Sequence, residues 1–433
     1  MIAKDAPAAP DPKHATQLIG MLGILGRALL AGAQPTNEIA ASLSSLAAAY
    51  GNPKLRVIVL PTFVLIEDPS SDPVRTSVFD ADQSTLRLDQ VDALEQLIHR
   101  AAKTRLPPQQ VAEAVTELTS APPRFGFLAS LSGHVLLTVG FGLVLSPTLP
   151  ALPIYAALGL LVGVFVLLGT RLRTLALVLP VVTAFVATLI AGLIAPELAS
   201  QSVLSLVTPA IASMLPGLTL TIATVELTNG QIIAGASRLL YGFAVLSLLA
   251  FGLYLGIVLT GISSPHTSSA EGRLGAWAPW VGIVLVAIGY YLFSVAPKGS
   301  LLWILFALTV AYAGQLLGHV LIGAALSGLI GALIAVPSIY LASHLPRAPQ
   351  PAVMLTCAYW MMVPGTMGFI GLTETVSGTS GGGSALLQTV GGVFAIAIGM
   401  VIGTGISRDT SAVARAWRGT DTSLPHADRP GGD

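Results

Sequence analysis

Apolar and polar positions divide the chain into two unlike parts. Up to about residue 124 the apolar residues recur with the periods of amphipathic elements. Leu18, Leu22, Leu25 and Leu29 keep helical spacing, and Gly32 is placed to stop that helix. Thr36 is placed to cap a second helix with Ile39, Leu43, Leu46 and Tyr50 on its apolar face and Gly51 as its stop. The run LRVIVLPTFVLI, Leu55 to Ile66, is rich in β-branched residues and broken at Pro61-Thr62, which predicts two strands or one bent edge strand. Arg75 to Phe79 reads as another strand. Two further helices carry Val91, Leu94, Ile98 and Ala101, then Val111, Val115 and Leu118, the last starting at Pro107-Pro108 and ending at Pro122-Pro123. These elements predict a small soluble α/β domain over 14–124, preceded by a Pro- and Ala-rich disordered tail, 1–13.

Beyond Phe125 the periodicity gives way to apolar stretches of near membrane length. They run over 127–146, 151–169, 174–195, 203–222 and 235–259, then 276–296, 299–316, 318–342, 351–371 and 384–407. The second five follow the first five at an offset of about 148 residues. At that offset Pro216-Gly217 falls on Pro364-Gly365, Glu226 on Glu374, Gly230 on Gly378 and Gly235 on Gly383. Five is odd, so the second set enters a membrane in the opposite sense. The expected fold is a polytopic α-helical membrane protein: ten transmembrane helices as two inverted five-helix repeats, 125–260 and 276–407. An external linker, 261–275, joins the repeats, and a disordered cytoplasmic tail, 408–433, follows them.

Composition sharpens this. Hydrophobic residues make up 53% and charged residues 10% of the chain, which excludes an ordinary soluble enzyme. From Phe127 to Ser407 the acidic residues are Glu197, Glu226, Glu271 and Glu374 alone. With a cytoplasmic soluble domain, the inner loops hold Arg171, Arg173, Arg238, Lys298 and Arg347, and the outer loops hold Arg273. That distribution obeys the positive-inside rule and places both termini in the cytoplasm. The N-terminus lacks a basic segment followed by an apolar one, so no secretory leader is expected. The single Cys357 excludes a disulfide framework and a cysteine metal site, and it reads as a buried core residue. In the soluble domain, His99-Arg100 and the run Asp80, Asp82, Asp89, Asp92 read as solvated faces. There is no GxxxxGK[ST] loop, no GxSxG turn and no metal-spaced histidine cluster there.

Candidate chemistry sits at the repeated Pro-Gly pairs. Proline removes a backbone N–H, so the carbonyl of Ala212, and that of Trp360 in the second half, is expected to lose its helical partner. Glycine beside it lets a ligand approach the backbone. Hydroxyls gather nearby: Thr208, Ser213, Thr219, Thr221 and Thr224 in the first half, Thr366 and Thr373 in the second. Freed carbonyls suit an ammonium and freed N–H groups a carboxylate, which together suit a small zwitterion. The substrate-site residues read from the chain are Pro216, Gly217, Thr219, Thr221, Pro364, Gly365 and Thr366. Glu226, Glu374, Arg238 and His134 are read for proton coupling or gating, with Arg238 on the inner side facing Glu226; boundary charges and a hydrogen-bonded structural histidine are the alternatives.

With these residues in view, the chain resembles the threonine/serine exporter family over almost its whole length. Gly32 to Gly51, GAQPTNEIAASLSSLAAAYG, looks like the family's N-terminal pattern. Pro216 to Leu240 looks like its first-half motif, carried by Pro216, Gly217, Glu226, Gly230, Gly235 and Arg238, and Pro364-Gly365 matches the second-half motif. The chain departs from the pattern at Gln34-Pro35-Thr36-Asn37, at His134 where the family carries a small residue, and in the Gly/Ser-rich run Ser377 to Ser384. The resemblance implies export of L-threonine and L-serine across the cytoplasmic membrane, driven by protons, without a cofactor and without enzyme chemistry. The partners expected are these amino acids, protons and the lipid bilayer, not nucleic acid; assembly as a homo-oligomer is left open. A small-solute channel, or a membrane-bound enzyme with its chemistry in the N-terminal domain, are the competing readings.

Overall fold

The computed structural model describes residues 12–81, 85–145, 147–169, 178–198, 202–261, 274–362 and 391–407. The N-terminal part holds α1 (Pro12–Ala31), α2 (Thr36–Ala49), β1 (Arg56–Leu60), β2 (Phe63–Asp68), β3 (Arg75–Asp80), α3 (Leu88–Thr104) and α4 (Pro108–Ser120). Helix α1 begins at Pro12, two residues inside the tail expected to be disordered. The strands form an antiparallel meander in the order β1-β2-β3, and Pro61-Thr62 is the turn between β1 and β2. Helix α1 lies on this sheet. A Cβ at Gly26 would meet Val64, and one at Gly23 would meet Phe79, so small residues let the helix approach closely. Leu18, Leu22, Leu25, Ile39, Leu43, Val64, Ile66, Leu94 and Val111 close the core.

The apolar part is helical throughout its described length: α5 (Phe127–Leu145), α6 (Leu152–Gly169), α7 (Leu179–Leu198), α8 (Val203–Ile211), α9 (Gly217–Thr228), α10 (Ile232–Thr260), α11 (Ala278–Phe293), α12 (Leu301–Ile322), α13 (Ser327–Ser343), α14 (Pro351–Met362) and α15 (Gly391–Ser407). Among the described residues, five helices are long and apolar enough to cross a membrane, and α8 with α9 adds a sixth if the bent pair is one span. Helices α7, α11, α14 and α15 are apolar but shorter over their described residues. Leu240, Val320 and Leu341 are all more than 70% exposed, an outward apolar surface that fits lipid and not water. The chain is therefore a multi-pass helical membrane protein. One boundary differs from expectation. Helix α12 runs to Ile322, so His319 sits in its last turn, with Gly323 at φ 86° breaking the chain before α13.

The tightest helix pair is α5 against α11. A Cβ on Gly133 would lie 2.9 Å from the Gly289 carbonyl oxygen, and one on Gly140 would lie 2.7 Å from that of Gly282. The partners descend as α5 ascends, so the pair is antiparallel. Small residues on both faces bring the backbones together, the usual route to close packing where lipid supplies no hydrophobic drive. A second contact occurs twice. Gly252 of α10 packs on the Val181 carbonyl and Ala184 of α7, and Gly256 packs on Thr188. Gly399 of α15 packs on the Leu329 carbonyl and Ala332 of α13, and Gly403 packs on Val336. The α7 and α13 partners stand 148 residues apart; the glycines stand 147 apart.

The soluble domain rests on loops that the charge pattern assigned to one side. Leu88 and Asp89 donate backbone N–H bonds to Ser294 and Val295, and Arg124 donates to the Ala296 carbonyl at 2.8 Å. Asp92 accepts from the Gln350 N–H at 2.8 Å. Asp92 is thus 8% exposed and structural, not part of a solvated face. On the opposite side, Leu274 donates to the Pro147 carbonyl.

The glycine seam predicts a specific asymmetry. Gly140→Val should lower the melting temperature of the detergent-solubilised protein, at a cost of about 1–3 kcal/mol from overpacking. Gly20→Ala in α1, where a new Cβ meets nothing within 4 Å, should be neutral or stabilising by up to about 1 kcal/mol. Differential scanning fluorimetry checks both.

Candidate functional site

Pro216 breaks the fourth apolar segment. Helix α8 ends at Ile211, a 3-10 turn covers Ala212–Met214, and α9 starts at Gly217 at 63° to α8. The expected orphan carbonyl of Ala212 is not orphaned: it accepts from the Leu215 N–H at 3.2 Å, because the tightened turn substitutes for the bond that proline removed. The open groups lie instead on α9. Its first intrahelical bond is donated by Leu220 to the Pro216 carbonyl, so the N–H groups of Gly217, Leu218 and Thr219 begin a helix and have no acceptor within it.

His134 reaches this break from α5. It is fully buried; Nδ1 lies 2.8 Å from the Gly159 carbonyl oxygen and Nε2 lies 2.8 Å from Ser213 Oγ. A carbonyl can only accept, so Nδ1 carries a proton toward Gly159; a neutral ring then accepts from the Ser213 hydroxyl at Nε2. Both ring nitrogens are satisfied, and the ring couples α5, α6 and the break. The hydroxyls of Thr208, Thr221 and Thr224 donate to Leu204, Gly217 and Leu220 on their own helices, and that of Ser213 is taken by His134, so most of the expected cluster is spent on bonds within the protein. In the second half, Gln315 of α12 donates to the Met362 carbonyl at 3.0 Å, at the residue where α14 ends. The sequence reading missed Gln315; a lone amide inside an apolar helix was the available signal. Pro364, Gly365, Thr366, Thr373 and Glu374 lie outside the described residues.

Glu226 stands at the far end of α9 and is completely buried. Its Oε2 lies 3.3 Å from Arg238 Nε of α10, as the ion-pair reading expected, although the pair makes no hydrogen bond. Its Oε1 accepts from the backbone N–H of Thr36 at 2.9 Å. Thr36 was expected to cap α2 with its own hydroxyl. Instead a carboxylate from the membrane part satisfies the first N–H of α2, where the helix dipole favours negative charge. Arg238 also donates to the Gln34 carbonyl at 3.2 Å, and Gln34 donates to Glu95 at 2.6 Å. One network therefore runs from α10 through the α1–α2 turn to α3.

Beside it lies a cavity of about 770 Å³, walled by the α1–α2 turn, α3, α9, α13, α14 and α15. Glu38, Glu95 and His99 face it from the soluble domain. Burial, then the charges of Asp92 and Glu38, push the Glu95 carboxyl up to about 7, while the Gln34 amide pulls it down. Among the described residues, no group of three or more His, Cys, Asp or Glu is placed to hold a metal ion.

The family model described as "Putative threonine/serine exporter" (ThrE) matches residues 21–260, more than half of the chain. The chain belongs to this family. The match spans the soluble domain and the helices through α10, and so includes the α1–α2 turn, His134, the Pro216 break, Glu226 and Arg238 of this ThrE member. No curated protein and no solved structure matches the chain.

Glu95 sets a pH dependence of stability. A carboxyl raised from 4.5 to about 7 binds more protons folded than unfolded. Its contribution is fully present below pH 4.5 and is lost as pH rises through 7. Glu95→Gln should raise the melting temperature of the full-length protein by several degrees at pH 8, recovering up to roughly 3 kcal/mol, and leave it unchanged at pH 4.5. Melting curves at the two pH values check the sign.

Proposed function

We propose that this protein exports small neutral amino acids, L-threonine and L-serine, across the cytoplasmic membrane, using the proton gradient. The observation that carries the reading is the broken α8–α9 segment at Pro216, inside a chain of the threonine/serine exporter family. Irregular backbone at membrane depth persists only where it is buried in protein or lines a wet path. The α9 N-terminus presents N–H groups suited to a carboxylate. His134 and Ser213 supply a buried hydrogen-bonded pair at the same place.

Ten spans in two inverted halves frame the transport cycle. Three observations support that reading. Each of the ten apolar stretches overlaps a described helix or the bent pair. The N-terminal domain touches the end of α9 and the loops α11–α12 and α13–α14, which all have the same parity in a ten-span count. The α7–α10 contact recurs as α13–α15 at the repeat offset. The antiparallel α5–α11 seam is then the surface on which the halves meet, and alternating access is rocking about it. Arg238, Lys298 and Arg347 on the soluble-domain side put both termini in the cytoplasm. On this reading the 148-residue sequence repeat gives Pro364, Gly365 and Thr366 a substrate role beside that of Pro216-Gly217, and gives Glu374 a role matching that of Glu226. Glu226 and His134 are the buried ionisable groups that protonation would act on.

Purified protein in proteoliposomes should give saturable threonine flux that a pH gradient drives and a protonophore abolishes. Flux indifferent to the protonophore would remove proton coupling; ionic conductance without saturation would favour a channel. Pro216→Ala, which restores an N–H and straightens the segment, should cut this flux at least tenfold while leaving the protein folded.

A further inference from the structure

We propose that the cavity between the soluble domain and the inner ends of α9, α13, α14 and α15 is a binding site for a primary ammonium group, held by Glu38, Glu95 and the amide oxygen of Asn37. The inference deepens the export reading and rests on it for the identity of the ligand: an amino acid waiting at the cytoplasmic face, separate from the break at Pro216.

Size and charge carry the argument. A cavity of about 770 Å³ holds an amino acid with its water. Two carboxylates face it, and no Lys or Arg is among the described residues that line it. The Arg238 guanidinium is committed to Glu226 and the Gln34 carbonyl. The Glu95 carboxyl has a single short partner, Gln34 Nε2, and accepts there at 2.6 Å. The groups facing it are Asp92 and His99 on its own helix, Glu38 on α2, and His344, Tyr340 and Tyr359 from α13 and α14. Such a surround repels anions and is relieved by a cation.

Unpaired polar atoms point the same way. Asn37 lines the cavity, and its Oδ1 is buried without a hydrogen-bond partner. Thr36 beside it is 1% exposed, and its Oγ1 also has none. A buried acceptor left open on a residue that lines a cavity, as at Asn37, is costly unless a ligand or water completes it. An ammonium offers three donors, which matches two carboxylates and one amide oxygen. Tyr340 and Tyr359 beside it add aromatic faces that favour a cation.

The site also couples binding to the membrane part. Gln34 bonds Glu95 on one side and receives Arg238 on the other. A cation that draws Glu95 toward itself competes with Gln34, and Gln34 sits on the turn held by the Glu226–Arg238 pair.

Binding of tritiated L-threonine to the full-length protein in nanodiscs tests this, with 3-hydroxybutyrate, which lacks the ammonium, as competitor. Glu38→Gln and Glu95→Gln should each weaken threonine binding about tenfold, the loss of one charge-assisted bond, and raise the flux KM with little change in its maximal rate. Glu113→Gln on the outer face of α4 should do neither, and 3-hydroxybutyrate should not compete. Asn37→Ala, the gentlest change, should weaken binding severalfold and serves if a carboxylate variant misfolds by its melting curve. Wild-type flux with unchanged affinity and KM in all three variants overturns the cavity site and leaves the export reading standing. Threonine bound with no flux in the wild type overturns the export reading and leaves the cavity site standing.

Discussion

A carboxylate with no solvent exposure has to be paired, and Glu226 is paired twice. Arg238 neutralises it from α10, and the first N–H of α2 donates to it from the soluble domain. Removing one partner of such an arrangement leaves a buried charge uncompensated, which costs far more than the arrangement gains over an apolar equivalent. The pair therefore fixes three things at once: the end of the short α9, the start of the long α10, and the seat of the α1–α2 turn. The soluble domain is joined to the broken segment by electrostatics, not merely tethered to α5 by the chain.

This constraint explains why the break and the clasp share one short helix. Helix α9 has 12 residues, with the Pro216 break at one end and Glu226 at the other. A rigid rod of that length transmits a shift at either end to the other, because its Thr221 and Thr224 hydroxyls and its backbone are bonded internally. Gly235 and Gly242 let α10 lie directly on it, the first against the Ala223 carbonyl and the second against Leu220. The break and the clasp are thus the two ends of one element. That is a physical basis for coupling them, distinct from mere proximity.

Much of this was legible in the sequence. The period change near residue 125, the strands flanking Pro61-Thr62 and the Pro216-Gly217 pair reflect strong local rules, and α1, the meander and the bent α8–α9 segment follow them. The pairing of Glu226 with Arg238 was also readable, since two charges in a nearly uncharged stretch have few other partners. What was not readable was long-range. The Thr36 N–H finds its cap 190 residues away, while a sequence rule looks three residues ahead. Asp92 resembled a solvated acid, yet Gln350 buries it. The Ala212 carbonyl was expected to be free because α-helical bookkeeping omits the 3-10 turn that satisfies it. Only the fold brings Ser213 to the His134 ring. Such residues declare themselves through tertiary geometry, and no local pattern encodes it.

The central claim is that the Glu226–Arg238 pair acts as one unit joining the soluble domain to the transport path. A double-mutant cycle on threonine flux tests it most directly, using Glu226→Gln, Arg238→Gln and the double variant in proteoliposomes. The account predicts that each single change impairs flux and that the double variant is no worse than either, a coupling of roughly 1–3 kcal/mol. Losses that simply add, within about 0.3 kcal/mol, would contradict it.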